Sequence, residues 1–352
     1  MKDLAAQDPR FWERLERLRG TFLSREKEAS SGGLAAYWQS LEDLKAYDVS
    51  FARRIAQKWS FALAQITELP KLTWVDWGCG TGVASEQLLK HFSGSVESVE
   101  LFDHSPLSKK FAHEKLANMS ERFQFNAEKI AEVESPNFDG KGVLMSHVLN
   151  EISSSQMTVL HGELKKAEAL IWVESGSKPT SRKLSEVRDQ MIKIAKRENN
   201  PWEVLFPCPA CEKCGMLKDE NSSHWCHFFA ASDPAWHQDA GWAEFATKLK
   251  VDLRTVPLSA LVMVREKVAD SVSLSGLGDD ARIIGKPRAY KGYVKVLSCS
   301  ERLGVADVQL DKKTDKALFK TLSKFSPKDE SLTRLQWQLN ADGTKIEKAK
   351  IV

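Results

Sequence analysis

The chain has 352 residues, with 42% hydrophobic and 28% charged side chains and a formal net charge of +3, which is ordinary for a globular protein of two or three domains. No apolar stretch approaches the roughly 18 residues needed to span a bilayer, and the acidic N-terminus lacks the apolar core of a signal peptide. We therefore expect no membrane partner and a cytoplasmic location, where a reducing environment suits the six cysteines.

The first 66 residues are predicted to form a helical N-terminal region. Asp8 and Pro9 make a favourable helix start, and apolar residues follow at helical spacing from Phe11 to Leu18. A Ser/Gly-rich break at 30–33 separates this helix from a second amphipathic stretch that extends to about residue 69.

From residue 71, short apolar strands alternate with helical segments. This alternation specifies an α/β fold with a parallel, doubly wound, Rossmann-like sheet. We place the domain at 67–270 and expect a late apolar strand at 258–264 to close it. The other predicted elements are strands at 72–76, 96–103, 142–145 and 169–174 and helices at 83–92, 106–119, 154–167 and 181–197.

A glycine-rich loop follows the first predicted strand and opens a helix. Asp76 precedes Gly78, Gly80 and Gly82 in the pattern acid-x-G-x-G-x-G. Glycines permit the tight turn and let backbone N–H groups approach a ligand closely. The pattern resembles motif I of the class I S-adenosylmethionine methyltransferases. That resemblance implies that the acid faces the methionine part of the cofactor and that a loop amide receives its carboxylate.

Two further residues extend this cofactor prediction. Asp103 ends the next predicted strand, 21 positions after Gly82, at the offset expected for an acid that binds ribose hydroxyls. Asn126, or Glu128 beside it, follows the expected third strand and is a candidate for the adenine amino group. S-adenosylmethionine is therefore the predicted cofactor, and an ordinary strand–helix turn is the alternative.

Catalytic residues are less evident than cofactor residues. The segment after the predicted fourth strand lacks the Asn/Asp-Pro-Pro-aromatic turn that amino-group methyltransferases need there. It contains His147, Asn150 and Glu151, and the first and last of these have i, i+4 spacing beside the expected pocket. A general base is one interpretation, and a structural histidine bonded to the neighbouring loop is the favoured one.

Four cysteines within nineteen residues predict a metal-binding insert at 205–228. The first three are spaced by two residues, and the fourth follows an eleven-residue loop. This arrangement favours a [4Fe-4S] cluster, because structural zinc sites usually arrange their ligands as two separated pairs. His224 and His227 flank the fourth cysteine and keep zinc as an alternative. The predicted metal ligands are Cys208, Cys211, Cys214 and Cys226.

The C-terminal region, 281–352, is basic and is predicted to form a small β-rich unit. It carries 12 Lys and 4 Arg against 8 Asp and Glu, a net charge of +8 that leaves −5 for the rest of the chain. Interleaved basic and tyrosine side chains suit phosphate contact and base stacking, whereas cross-strand packing and a merely solvated surface are the alternatives. The residues concerned are Arg282, Lys286, Arg288, Tyr290, Lys291, Tyr293 and Lys295.

Three segments together resemble a known family. They are 75–82, 146–151, and the pair 207–209 and 225–228 around the first and last clustered cysteines. Over about 35–300 the chain is similar to the methyltransferase-like small-ribosomal-subunit family, whose mitochondrial members assist small-subunit assembly. The resemblance implies a [4Fe-4S] cluster on the four cysteines and contact with small-subunit ribosomal RNA. The tight spacing of the first three cysteines departs from the more open pattern of the mitochondrial members.

Two functional hypotheses from different classes follow. The first is an S-adenosylmethionine-dependent methyltransferase that acts on ribosomal RNA in ribosome biogenesis. The second is a non-catalytic assembly factor that uses the cofactor domain and the cluster as a platform for RNA. A zinc-containing methyltransferase is a further alternative. The sequence supports the methyl-donor site more strongly than the acceptor machinery.

Overall fold

The computed structural model describes residues 1–27, 38–208, 213–265, 279–301, 303–325 and 334–351. Within these ranges the chain forms a group of N-terminal helices, a large α/β sheet and a second, C-terminal sheet. No helix in the same ranges is both long and apolar enough to cross a bilayer.

The N-terminal helices pack against one another and against the main sheet. A capping box starts the third helix: Ser40 accepts the N–H of Asp43, whose carboxylate accepts the N–H of Ser40. Arg14 donates to the same carboxylate at 3.1 Å and so ties the second helix to the third. The fourth helix contacts the main-sheet strands Ala169–Ser175 and Val256–Arg265. The helices are α1 (Lys2–Gln7), α2 (Phe11–Lys27), α3 (Leu41–Asp48) and α4 (Phe51–Leu63).

The main sheet is built from strands that alternate with helices over 72–265. The four predicted helices and five predicted strands agree closely with the observed bounds, and one further helix and three further short strands have no predicted bounds. The helices are α5 (Val83–Phe92), α6 (Pro106–Met119), α7 (Ser154–Leu164), α8 (Lys178–Glu198) and α9 (Ala240–Lys248). The strands are β1 (Leu72–Trp77), β2 (Val96–Phe102), β3 (Ile130–Glu132), β4 (Gly142–Ser146), β5 (Ala169–Ser175), β6 (Trp202–Phe206), β7 (Phe228–Ala230) and β8 (Val256–Arg265).

The strand order is that of a doubly wound, Rossmann-like sheet. It runs β3-β2-β1-β4-β5-β8-β6, with β7 also paired to β8. Strands β1 to β5 are parallel, as predicted. Strand β8 is antiparallel to β5, β6 and β7, so the expectation of an entirely parallel sheet is wrong at this edge. The apolar run of β8 is buried whichever way the strand points, and the sequence pattern therefore carries no information about its direction.

The C-terminal residues form a second sheet, in agreement with the predicted β-rich character. Its order is β10-β11-β9-β13-β14, and β12 pairs with β11. Its buried face includes Val294, Val296, Val308 and Leu310, against which the apolar side of one helix packs. The strands are β9 (Asp279–Ile283), β10 (Arg288–Ala289), β11 (Tyr293–Ser300), β12 (Gly304–Asp311), β13 (Arg334–Leu339) and β14 (Ile346–Ile351), and the helix is α10 (Lys316–Ser323).

Candidate functional site

The glycine loop joins β1 to α5 in a conformation that only glycine adopts without strain. Gly78, Gly80 and Gly82 have φ of +73°, +53° and +73°. A Cβ on Gly78 would lie 2.8 Å from Cγ1 of Val148, so the turn after β4 packs directly on the loop backbone. The loop is therefore shaped both by its own dihedral angles and by the neighbouring turn.

Hydrogen bonds from β2 and α6 hold this loop in place. The N–H groups of Gly78 and Cys79 donate to the carbonyl of Phe102 at 2.8 and 3.0 Å. The buried hydroxyl of Ser108 donates to the carbonyl of Gly80 at 2.6 Å. Asp103 accepts the N–H of Gly80 at 3.0 Å, so its carboxylate lies against the loop as the sequence offset requires.

Asp76 lies beneath the loop and is completely buried. Its Oδ2 accepts the hydroxyl of Ser85 at 2.7 Å and the N–H of Ser85 at 3.2 Å, whereas Oδ1 has no hydrogen-bond partner among the described residues. Burial raises the pKa of Asp76 to about 6, and the two bonds from Ser85 oppose this rise. Asp76 is absent from the residues that line the adjacent cavity. Its position supports the loop from below.

Asn126 is not placed as the sequence predicts. It precedes β3 rather than following it, is exposed, and uses its side chain to accept the N–H of Glu128 at 3.0 Å. Neither residue lines the cavity. Strand β3 is three residues long, and its sequence Ile-Ala-Glu is too short to show alternation, so the sequence pattern does not locate it. Pro136 and Phe138, which follow β3, line the cavity instead.

One large cavity lies at the carboxyl ends of the parallel strands, where open α/β sheets bind their ligands. Its volume is about 920 Å³, near the upper end of the roughly 300–1,000 Å³ of small-molecule sites. One side is formed by the glycine loop and Asp103, and another by aromatic side chains of the N-terminal region. These aromatic residues are Phe22, Trp38, Tyr47 and Phe51.

The turn after β4 brings all three weak catalytic candidates to this cavity. His147, Asn150 and Glu151 line it, and His147 has a left-handed φ of +56°. The turn continues as a 3-10 helix and not as an α-helix. The i, i+4 spacing of His147 and Glu151 therefore does not place them on one face of an α-helix. Asn150 Oδ1 accepts the hydroxyl of Thr180 at 3.4 Å.

The cavity lining also includes two buried charged residues, Lys58 and Glu174, that the sequence pattern does not single out. Lys58 of α4 is buried, with its Nζ 3.1 Å from Nε2 of His147. Glu174 at the end of β5 is also buried, and its Oε1 accepts the N–H groups of Val148 and Leu149 at 3.0 and 2.9 Å. A lysine within the apolar stripe of an amphipathic helix and an acid that ends an apolar strand were the available signals.

The cysteine loop lies between β6 and β7, as the predicted insert near the final strands required. Both carboxylate oxygens of Asp189 on α8 accept the N–H of Cys214 at 3.1 Å. Arg182, also on α8, donates to the carbonyl of Met216 at 2.7 Å. From the C-terminal sheet, Arg282 donates to the carbonyl of Pro207 at 3.2 Å. The loop is thus fixed from both sides.

Three of the four cysteines interact electrostatically. The pKa of Cys226 is raised well above its ordinary value, first by burial and then by the charges of Cys208 and Cys214. Arg188 and Arg282 oppose this rise. Cys211 lies outside the described residues, and within the described ones no group of three or more His, Cys, Asp or Glu side chains could hold a metal ion.

The two histidines that kept zinc as an alternative are not gathered with the thiols. His227 uses Nδ1 to contact the carbonyl of Trp225 at 3.0 Å and stacks on the Trp225 ring. Gly285 of the second sheet packs against the same imidazole. His224 is partly buried at the end of the loop.

The basic surface of the second sheet retains most of its predicted members. Tyr290 and Tyr293 stack with ring centroids 4.6 Å apart and planes 16° apart. Tyr290 and Lys291 are exposed. Arg282 was expected on this surface but is buried, donating to Gln65 and lying over the Phe206 ring, because it joins the two sheets.

The sequence matches a protein family over most of its length. The family described as mitochondrial small ribosomal subunit Rsm22 matches residues 52–326, which is well over half of the sequence. The chain belongs to the Rsm22 family. The matched range includes the glycine loop, the cysteine loop and the first strands of the second sheet. No curated protein matches the sequence.

Solved structures that resemble this Rsm22-family chain are methyltransferases. The plantazolicin methyltransferase BamL, in complex with SAH, is 11% identical over 71% of this chain and 98% of its own, with a TM-score of 0.34. Magnesium protoporphyrin IX methyltransferase from Synechocystis PCC 6803, with bound SAM, is 11% identical over 71% and 94%, with a TM-score of 0.37. The putative RNA methyltransferase PH1948 from Pyrococcus horikoshii is 12% identical over 70% and 98%, with a TM-score of 0.33. Similarities this low carry no conclusion about ligands or activity.

Proposed function

We propose that this Rsm22-family chain binds S-adenosylmethionine in the large cavity and acts as a methyltransferase on small-subunit ribosomal RNA in ribosome biogenesis. The observation that carries the proposal is the convergence of the glycine loop, Asp103 and the His147 turn on one cavity at the carboxyl ends of the strands. We propose a cytoplasmic location for the protein as part of the same function.

The lining of the cavity fits the cofactor. The glycine loop leaves room for a ligand to approach its backbone closely, since a Cβ added to Gly80 would meet no atom within 4 Å. Asp103 suits the ribose hydroxyls, and the rings of Trp77 and Phe102 line the same side and suit an adenine. When bound, the cofactor would supply an activated methyl group, and the residues named here would orient it.

We also propose that the four cysteines hold a [4Fe-4S] cluster. The mutual repulsion of Cys208, Cys214 and Cys226 as thiolates would be relieved by a bound iron centre, and Arg188 and Arg282 add positive charge nearby. The cluster would fix the loop between α8 and the second sheet, a structural role. Zinc is the alternative occupant of the same ligands.

Anaerobic purification with iron, sulfide and zinc analysis tests the metal proposal. We expect about four irons and four sulfides per chain and a broad absorbance near roughly 400 nm. Cys226→Ser should lose both, whereas Cys299→Ser, in the second sheet, should retain them. Zinc in stoichiometric amount, without sulfide, would show that the cysteines hold zinc and not an iron–sulfur cluster.

The second candidate is an assembly factor that binds RNA without methylating it. The absence of an Asn/Asp-Pro-Pro-aromatic turn after β4 favours it. In both cases the exposed basic and aromatic residues beside Tyr290 would contact RNA.

A transfer assay separates the two candidates. Purified protein is incubated with methyl-labelled S-adenosylmethionine and small-subunit ribosomal RNA, both naked and in immature subunits. Label in the RNA supports the enzyme. Tight RNA binding without label, in a protein that binds the cofactor, supports the assembly factor and removes the enzyme proposal.

A further inference from the structure

The cavity contains a pair of nitrogen bases, a buried lysine and a half-buried histidine, directly beside the glycine loop. Nζ of Lys58 and Nε2 of His147 are 3.1 Å apart, and Lys58 is only 8% exposed. Nδ1 of His147 makes no hydrogen bond to any described residue. Because Val148 packs on Gly78, the histidine immediately before it is adjacent to the loop proposed to hold the methyl donor.

Hydrogen bonds of the neighbouring residues hold both members of this pair in place. His147 is held at a φ of +56°, in the left-handed region that a non-glycine residue adopts only with backbone strain. Glu174 accepts the two N–H groups that follow His147 and also the indole N–H of Trp172 at 2.8 Å. The indole of Trp59, next to Lys58, donates to the hydroxyl of Ser146 at 2.9 Å. Both partners of the pair are therefore anchored through their sequence neighbours.

Burial shifts both members of the pair toward their neutral forms. The pKa of Lys58 falls to about 7, because burial and then the charge of Arg54 disfavour the ammonium, while Glu174 opposes the fall. The pKa of His147 lies well below its ordinary value because of burial and of the Lys58 charge. Other charged or titratable groups that line the cavity are Tyr47, Asp103, His104, Glu151 and Glu163.

Resting on the methyltransferase proposed above, we propose that Lys58 and His147 form the proton-accepting pair of the cavity, and that the methyl acceptor is a nitrogen or oxygen that carries a proton. The acceptor atom bonds to the methyl carbon while the electron pair of the broken carbon–sulfur bond stays on sulfur. The acceptor's proton passes to Nδ1 of His147. The proton on Nε2 can then pass to the neutral amine of Lys58.

The same geometry disfavours an acceptor carbon that needs a thiol nucleophile. Cys79 lines the cavity, but burial raises its thiol pKa well above the ordinary value, so the thiolate is scarce near neutral pH. The cysteines of the 208–226 loop do not line this cavity where the structure describes them. A proton-bearing nitrogen or oxygen is the substrate class that this pair serves.

Nuclear magnetic resonance of protein labelled at histidine tests the pair without a substrate. His147 is assigned by the signal lost in His147→Gln, and the wild type is titrated from pH 5 to 9. We expect the His147 signal to show an inflection near pH 7, where Lys58 titrates. The inflection should disappear in Lys58→Met. It should remain in the control Lys71→Met, since Lys71 is exposed. A wild-type His147 signal without this inflection overturns the proposal, even if Lys58→Met does not fold.

Two measurements on the same samples separate this inference from the function on which it rests. Calorimetric titration with S-adenosylhomocysteine reports the cofactor site. If the wild type does not bind this ligand, the proposed function and the methyl acceptor assigned here both fall, whatever the His147 signal shows. If that ligand binds, methyl transfer to small-subunit RNA should rise with pH through about 7 and fall about 100-fold or more in His147→Gln. Unchanged transfer in this variant, with the inflection present, overturns the proton-accepting role.

Discussion

At the scale of single residues, the site depends on positions where the backbone or a charge is held in an unfavourable state. Gly78 tolerates a positive φ that other residues resist, and His147 adopts one without being glycine. Asp76 has a buried carboxyl oxygen that finds no hydrogen-bond partner in the described part of the chain. Such strain concentrates where a ligand is bound. Each of these residues gives a direct experiment.

Gly78→Ala should destabilise the protein by about 2 kcal/mol, since the new methyl group combines a positive φ with a 2.8 Å contact to Val148. Urea unfolding measures the change in the free energy of unfolding. Gly94→Ala is the matched control, because its added Cβ meets no atom within 4 Å, and it should change stability by less than about 0.5 kcal/mol. Equal effects of the two substitutions would contradict the described packing.

Asp76→Asn should change how stability depends on pH. The folded-state pKa of Asp76, about 6, lies above its ordinary value of 3.8, so the folded state holds its proton more tightly. That stabilisation is complete below pH 3.8 and is lost as pH rises through 6. Between pH 5 and 7 the wild type should therefore lose about 1 kcal/mol relative to the variant. The stability of the exposed control Asp139→Asn should depend on pH as that of the wild type does. If the stability curve of Asp76→Asn also runs parallel to the wild-type curve, the pKa of Asp76 is not raised in the folded state.

At the scale of elements, α8 is the support of the cysteine loop. Its Arg182 and Asp189 bond to the loop backbone, and its Arg188 contributes positive charge to Cys208 and Cys214 while pairing with Asp189 at 2.5 Å. Arg188 is almost completely buried, so little solvent screens its charge. Helix α8 therefore fixes the position of the cysteine loop and places a positive charge near its cysteines.

Arg188→Met should lower the iron content of the purified protein several-fold, because the thiolates lose a buried balancing charge. Lys193→Met makes the same kind of change on an exposed position of α8 and should leave the iron content unaltered. Iron analysis after anaerobic purification is the measurement. A full complement of iron in Arg188→Met would show that the loop does not rely on this charge.

The elements were predictable in proportion to the strength of their periodic pattern. The long helices α5 and α6 and the strands β1 and β5 have local signals that tertiary packing does not override. Strand β3 has three residues, and the direction of β8 leaves no mark in its apolar sequence. Short or direction-dependent features therefore required the structure.

The site was predictable only where chemistry follows a local motif. The glycines lie in the turn between β1 and α5, and Asp103 directly follows β2, the next strand along the chain. Lys58 is 89 residues from His147, and their contact exists only because α4 packs beside the end of β4. Nothing in the local sequence of either residue specifies that distance.

At the scale of the whole molecule, the cysteine loop joins the two sheets. Arg282 of β9 donates to Pro207 and Gln65, and the N–H of Gly285 donates to the carbonyl of His227 at 2.8 Å. Gly215 of the loop packs against Val305 of β12. The proposed cluster would therefore also set the position of the second sheet, whose exposed Tyr290 and Lys291 belong to the proposed RNA surface.

Lys291→Gln should weaken binding to small-subunit RNA about equally for different sequences, because an exposed lysine contacts phosphate rather than bases. The slope of log affinity against log salt should fall by roughly 0.7–0.9. Filter binding at several salt concentrations gives this slope. Lys218→Gln, an exposed lysine of the cysteine loop, is the control and should retain the wild-type slope. An unchanged slope in Lys291→Gln would remove this residue from the RNA surface.

Calorimetric titration of the full chain with S-adenosylhomocysteine tests the central claim most directly. We predict one binding site per chain and at least a tenfold loss of affinity in Asp103→Ala, with no loss in the exposed control Asp139→Ala. Absence of binding in the folded wild type, or equal affinities for Asp103→Ala and the wild type, would contradict the assignment of this cavity to the methyl donor.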